Sequence, residues 1–118
     1  MRFTNKYGNT KVEYAGIKFD SKKECGRYVE LLLMQESGAI CELTVKPVYE
    51  LIPSQKTDSG TMRALKYTPD FRYVQDGQVV VEDVKGYDRK TGKYLTTEAY
   101  KIKKKLLYER YKLLVREV

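Results

Sequence analysis

Three charged residues in one short stretch carry the chemistry open to this chain: Asp70, Asp83 and Lys85, within "YTPDFRYVQDGQVVVEDVKG", Tyr67 to Gly86. The stretch reads as two apolar strands about a tight turn at Asp76-Gly77, because a type I′ turn needs positive φ at both central residues. With Gln75 facing Gln78, counting outward sets Asp70 directly across from Asp83; a three-residue bulged loop would set Asp70 against Glu82 or Val84 instead. Opposed side chains have Cβ atoms roughly 4.5–5.5 Å apart. Two carboxylates at about 5 Å repel by roughly 3 kcal/mol at an effective dielectric near 20. Such a pair needs a bridging cation, a shared proton or good screening. The strand period puts Lys85 on the face of Asp83 and turns Glu82 to the other face. Two carboxylates with room for water and phosphate oxygens suit Mg²⁺, which keeps several waters and takes one or two protein carboxylates. A surface ion pair of Asp83 with Lys85 or Arg72 explains the same charges, and spacing leaves both open.

Any catalysis here runs without imidazole, because the 118 residues include no histidine. That excludes histidine bases, Ser-His-Asp and Cys-His triads and histidine zinc sites. Cys25 and Cys41 lie far apart with no C-x-x-C spacing and read as reduced structural thiols. Twenty-three Lys and Arg against sixteen Asp and Glu give a formal charge of +7, interleaved with eleven tyrosines. Nucleic acid is the partner class this favours, since basic side chains neutralise phosphates and tyrosines stack on bases; a basic surface with no partner is the alternative. The length suits one domain over residues 1–118. No stretch is apolar enough to span a bilayer, and Met1 to Lys6 has no apolar run behind it. No membrane contact and a cytoplasmic location are therefore expected.

The elements that must position the three residues follow from periodicity. Lys11-Val12-Glu13-Tyr14 and Ile17-Lys18-Phe19 read as a short hairpin about Ala15-Gly16. Ser21 to Glu24 has capping-box spacing, and Cys25, Tyr28, Val29 and Leu31 to Leu33 recur at helical spacing until Ser37-Gly38. Cys41 to Val45 and Val48 to Ile52 read as extended, and Pro47 confines them to an edge or a bulge. Pro53 to Thr61 reads as a loop; Met62 to Val74 and Val79 to Lys85 read as the arms of the hairpin; "GYDRKTGKY" reads as a basic, mobile connection. Thr96 or Thr97 caps a second helix with Ala99, Ile102 and Leu106 inward and Lys101, Lys104 and Lys105 outward, and Lys112 to Val115 reads as a buried strand. A strand-helix-strand passage returns parallel, so an α/β domain with a mixed sheet is expected.

Pro69-Asp70, a gap of twelve residues, then Asp83-Val84-Lys85 resembles the PD-(D/E)xK nuclease signature. "GIKFDSKKE", "YTPDF" and "VVEDVKG" extend the resemblance over nearly the whole chain to a family of small phage-encoded proteins of that superfamily. Some of these are proposed as Holliday-junction or branched-DNA endonucleases. The resemblance implies a restriction-endonuclease-like αβββαβ core and a Mg²⁺-dependent endonuclease acting on DNA in a host cytoplasm, with Mn²⁺ as substitute. By position it implies Asp70 and Asp83 as metal ligands, the Val84 carbonyl as a further ligand, and Lys85 orienting or helping to deprotonate the attacking water. Glu24 resembles the acid that many members carry on the first helix, while the capping box explains the same glutamate without metal. Glu82 is a secondary candidate, replacing Asp83 if the loop is bulged. Arg89, Lys90, Lys93, Lys101, Lys104 and Lys105 are the candidate DNA contacts, and Tyr67, Tyr73 and Tyr87 flank the site. Members that cut both strands often pair, so the resemblance admits a homodimer. A non-cleaving DNA-binding module on the same fold is the runner-up.

Overall fold

A computed structural model describes the backbone at residues 3–6 and 9–118 and the side chains from Lys11 onward. Met1 and Arg2, which opened the reading of the amino-terminal segment, lie outside the described residues. The chain is mixed α/β. Strands β1 (Phe3–Lys6), β2 (Asn9–Tyr14) and β3 (Ile17–Phe19) form an antiparallel sheet, with β2 and β3 turning at Ala15 and Gly16, both at positive φ. Helix α1 (Lys22–Glu36) follows. Then come β4 (Cys41–Val45), β5 (Tyr49–Ile52), β6 (Gln55–Thr57), β7 (Gly60–Met62), β8 (Leu65–Tyr67), β9 (Phe71–Gln75), β10 (Gln78–Asp83), β11 (Tyr87–Asp88) and β12 (Lys93–Tyr94). Helix α2 (Glu98–Tyr111) and β13 (Val115–Glu117) close the order.

Four strands in the order β13-β10-β9-β4 make the central sheet, with β10 antiparallel to β9 and parallel to β13. The β9–β10 turn is the two-residue form: Asp76 and Gly77 have φ of 52° and 76°, and Gln75 pairs with Gln78. No bulge intervenes down to the Phe71–Glu82 pair. Beyond that pair the ladder ends: the chain bends at Asp70, whose N–H bonds Glu82 O, and the Asp70 and Asp83 side chains meet there outside the ladder. Strand β4 lies at the sheet edge and shifts register between Cys41 and Thr44, the place the Pro47 argument reserved for it.

Helix α1 begins where Ser21 Oγ accepts the Glu24 N–H at 3.1 Å. It ends where Gly38, at φ +85°, donates to Gln35 O, a left-handed turn that glycine adopts without a Cβ penalty. The helix packs its Cys25 and Leu31 with Val12, Phe19, Phe71 and Tyr73 on one face of the sheet. Beside α2, on the other side, Leu51, Tyr67, Tyr100 and Leu107 form a second core. The central sheet thus carries a helix-backed core on each face. No helix among the described residues is long and apolar enough to cross a membrane.

Several expectations fail for identifiable reasons. Pro53 to Thr61 is not loop throughout, because Gln55–Thr57 and Gly60–Met62 pair as a hairpin across Asp58-Ser59. Met62 to Val74 is not one strand: β7 pairs with β6, β8 with β5, and β9 with β10, and the chain breaks at Thr68 to Asp70, where Pro69 lacks a ladder donor. "GYDRKTGKY" carries the small β11–β12 pair. Helix α2 is capped by Thr97 and buries Tyr100 and Leu107, leaving Ile102 55% exposed, so its inward face is rotated from the one expected. Lys112 caps it at φ +57°, Leu114 is exposed, and the closing strand begins only at Val115.

Candidate active site

The two acids meet at the open end of the β9–β10 hairpin. Asp70 N–H donates to Glu82 O at 3.1 Å, and Asp70 Oδ2 accepts the Val84 N–H at 2.7 Å. Val84 thus holds Asp70 through its N–H, and its carbonyl, expected as a metal ligand, is not engaged by that bond. Asp83 is buried; its Oδ2 accepts the Tyr67 hydroxyl, and its Oδ1 faces Lys85 Nζ at 3.5 Å. Glu24, 5% exposed, reaches the cluster from the first turn of α1 with its carboxyl against Asp70. Its Oε1 is sealed from solvent and has no hydrogen-bond partner. Ser21 Oγ caps the helix without using that carboxylate, so the cap accounts for the serine and leaves the acid over.

Electrostatics follow from burial and like charge. Burial, sharing with Asp83 and the charge of Glu24 push the Asp70 carboxyl up to about 8, against the pull of the Val84 N–H. Burial and Asp20 raise Glu24, with Lys46 and Asp70 opposing. Burial, then its bond to Asp83, keeps the Tyr67 phenol protonated far above its ordinary range, so it acts as a fixed donor.

Among the described residues no three acidic, cysteine or histidine side chains converge as a complete metal cage. The donor chemistry still fits Mg²⁺, which needs only one or two protein carboxylates beside its waters. Asp70 and Asp83 are two hard-oxygen donors whose mutual repulsion a cation would relieve, and the unpartnered Glu24 Oε1 is a third oxygen within the same cleft.

The cleft at this end of the sheet has a volume of about 660 Å³ and takes in the starts of both helices. Lys23, Lys66, Lys85 and Lys103 line it around the acids. Of these, sequence reasoning singled out Lys85 alone. Lys103 stands three residues after the inward Tyr100, a helical neighbour that would have been found had Tyr100 been chosen over Ala99 and Ile102 as the buried position. Lys66 comes from β8, whose pairing with β5 has no signal in the hairpin pattern.

The other candidates lie elsewhere. Glu82 points to the α1 face, fully buried, where Arg27 Nε and Nη2 donate to it at 2.8 and 2.6 Å and the Tyr73 hydroxyl donates to Oε2. It is removed from the site because the unbulged register turns it there. Lys101, Lys104 and Lys105 line a different groove with Ile102, Tyr108 and Leu114, and Lys104 donates to Glu117 at 2.8 Å. Arg89, Lys90 and Lys93 are exposed on or beside the β11–β12 pair and do not line the cleft, although Leu95 N bonds Gly86 O at 2.8 Å and holds that pair near its rim. Tyr73 is core, Tyr67 lends its hydroxyl rather than its face, and Tyr87, 52% exposed, packs against Tyr94.

No curated protein and no solved structure matches the chain. A family model does match, over residues 4–117, and the chain belongs to that family, described as Protein of unknown function (DUF1064).

Proposed function

We propose that this protein is a Mg²⁺-dependent endonuclease, with Mn²⁺ able to substitute, that hydrolyses DNA phosphodiester bonds on a restriction-endonuclease-like core. The order α1, β4, β9, β10, α2, β13, with the last strand parallel to β10, supports that core. One observation carries the function: Asp70 and Asp83 are crowded together, with Lys85 Nζ 3.5 Å from Asp83, inside a cleft ringed by further lysines. Buried carboxyls crowded together, with Asp70 holding its proton more tightly than an ordinary carboxyl, are what a site built for a cation looks like before the cation binds.

Asp70 and Asp83 would hold the ion and Glu24 would offer Oε1, while the Val84 N–H and Tyr67 hydroxyl orient the two acids. When bound, the ion supplies Lewis acidity and a water of lowered pKa. Lys85 would orient the attacking water and balance the charge that grows on the phosphoryl oxygens. The water oxygen bonds phosphorus as the bond to the leaving sugar oxygen breaks; the water gives up a proton and the leaving oxygen gains one. Lys66 and Lys103 grip neighbouring phosphates from the cleft walls. Branched or recombining DNA comes first among substrates.

Labelled four-way junction, duplex and single-stranded DNA, incubated with Mg²⁺ or EDTA beside Asp83→Ala and Lys85→Ala, test the proposal. Cleavage by wild type in Mg²⁺, lost in EDTA and lowered at least about a hundredfold in both variants, is expected. Wild type cutting no faster than the variants overturns it, and salt-sensitive binding without cleavage then assigns a DNA-binding module.

A further inference from the structure

The Lys85 ammonium makes two short contacts, and the charge of Glu117 also acts on it. Asp83 Oδ1 lies at 3.5 Å, and the centroid of the Tyr100 ring lies at 3.9 Å, the shortest cation-to-ring approach among the described residues. Lysine is a point charge on a flexible four-carbon stem, and one ion pair leaves its head free to swing toward water. An aromatic face beneath the ammonium removes that freedom.

Tyr100 is itself immobilised. It is 6% exposed and packs with Leu51, Tyr67 and Leu107. Its N–H is taken by the Thr97 cap at 3.1 Å, and its hydroxyl donates to Glu117 Oε2 at 2.8 Å. Lys104 Nζ donates to the same oxygen at 2.8 Å. Glu117 is the β13 residue paired with Asp83 of β10, so the strand beside the one that carries the acid anchors the ring. Tyr67 completes the frame, its hydroxyl on Asp83 and its ring centroid 6.2 Å from that of Tyr100.

We infer that Tyr100 is a positioning residue: its ring face holds the Lys85 ammonium beside Asp83, and Glu117 with Lys104 fixes the ring. Lys104, expected to contact DNA, is then an internal strut. The catalytic consequence rests on the endonuclease reading; the contact rests on geometry alone.

Kinetics on the four-way junction with Mg²⁺, run beside NMR of the Lys85 ε-methylene protons, test this. Tyr100→Leu is expected to lower kcat about tenfold with KM unchanged, and Tyr100→Met, closer in volume, to do the same. Tyr100→Phe keeps the ring face and its packing but loses the Glu117 bond, and is expected to fall between wild type and Tyr100→Leu. Leu31→Ala loosens the other core, which does not touch Tyr100, and is expected to lower the melting temperature while kcat holds. The Lys85 protons, assigned by their loss in Lys85→Ala, are expected upfield in wild type and Tyr100→Phe and at ordinary shifts in Tyr100→Leu. Equal kcat for Tyr100→Leu, or Lys85 protons that do not move, overturns the positioning role alone. A wild type that cuts no DNA overturns the endonuclease reading and the catalytic role together, while the NMR shift still reports the contact.

Discussion

Glu82 and Asp83 are adjacent on β10, both nearly sealed from solvent, and are neutralised in opposite ways. Glu82 faces α1 and is saturated: two bonds from Arg27, one from Tyr73, and Arg116 Nη1 at 3.9 Å. Asp83 faces the cleft and has one hydroxyl and one ammonium at 3.5 Å, with Asp70 and Glu24 crowding the same space. A buried acid with a full set of partners is a structural element, because its desolvation is already offset. A buried group of acids with too little counter-charge is an incomplete assembly, and what completes it is a proton or a cation. One step along a strand separates the two, since period two sends neighbours to opposite faces.

The largest expected effect breaks this contrast on the cleft side. Asp83→Asn should abolish Mg²⁺-dependent cleavage, by at least about a hundredfold in single-turnover assays, with little loss of stability in the absence of metal. On the α1 side, Arg27→Met strands the buried Glu82 and should cost about 3–5 kcal/mol in denaturant unfolding, while protein that remains folded still binds Mg²⁺.

Asp70 sharpens the contrast through pH. Its carboxyl is raised from 3.8 to about 8, so the folded state holds the proton more tightly than the unfolded chain does. The stability this contributes is complete below about pH 4 and is lost as pH rises to about 8, with a slope of at most about 1.4 kcal/mol per pH unit. Asp70→Asn should flatten that slope, and the rise in melting temperature on adding Mg²⁺ should be larger at pH 8 than at pH 5 in wild type only. The smallest effect concerns Gly26, on the helix that carries both Glu24 and Arg27. A Cβ there would meet nothing within 4 Å, so Gly26→Ala should stabilise by up to about 1 kcal/mol and leave both acid sites unchanged. Calorimetry checks it.

Legibility in the sequence tracked how local each determinant is. The Asp76-Gly77 turn, the register it imposes and the Ser21 cap were readable because each depends on a few neighbouring residues. The β6–β7 pairing was not, because "PSQKTDSGT" has loop composition, and the β5–β8 pairing was not, because its two strands are separated by that whole segment. The inward face of α2 was misjudged because tyrosine is amphipathic: Tyr100 buries its ring and sends its hydroxyl to Glu117, a partner seventeen residues away.

By itself the sequence determined that Asp70, Asp83 and Lys85 lie at one end of one hairpin, and that a two-residue turn at Asp76-Gly77 sends Asp83 and Glu82 to opposite faces, since turn type and strand period are set within twenty residues. Only the tertiary structure decided that Glu24 enters this cluster with an unpartnered oxygen, that Tyr67 and Tyr100 frame it, and that Lys66 and Lys103 line its cleft. Those residues come from α1, β8 and α2, and their meeting depends on how two cores pack against opposite faces of a sheet, which no local pattern encodes.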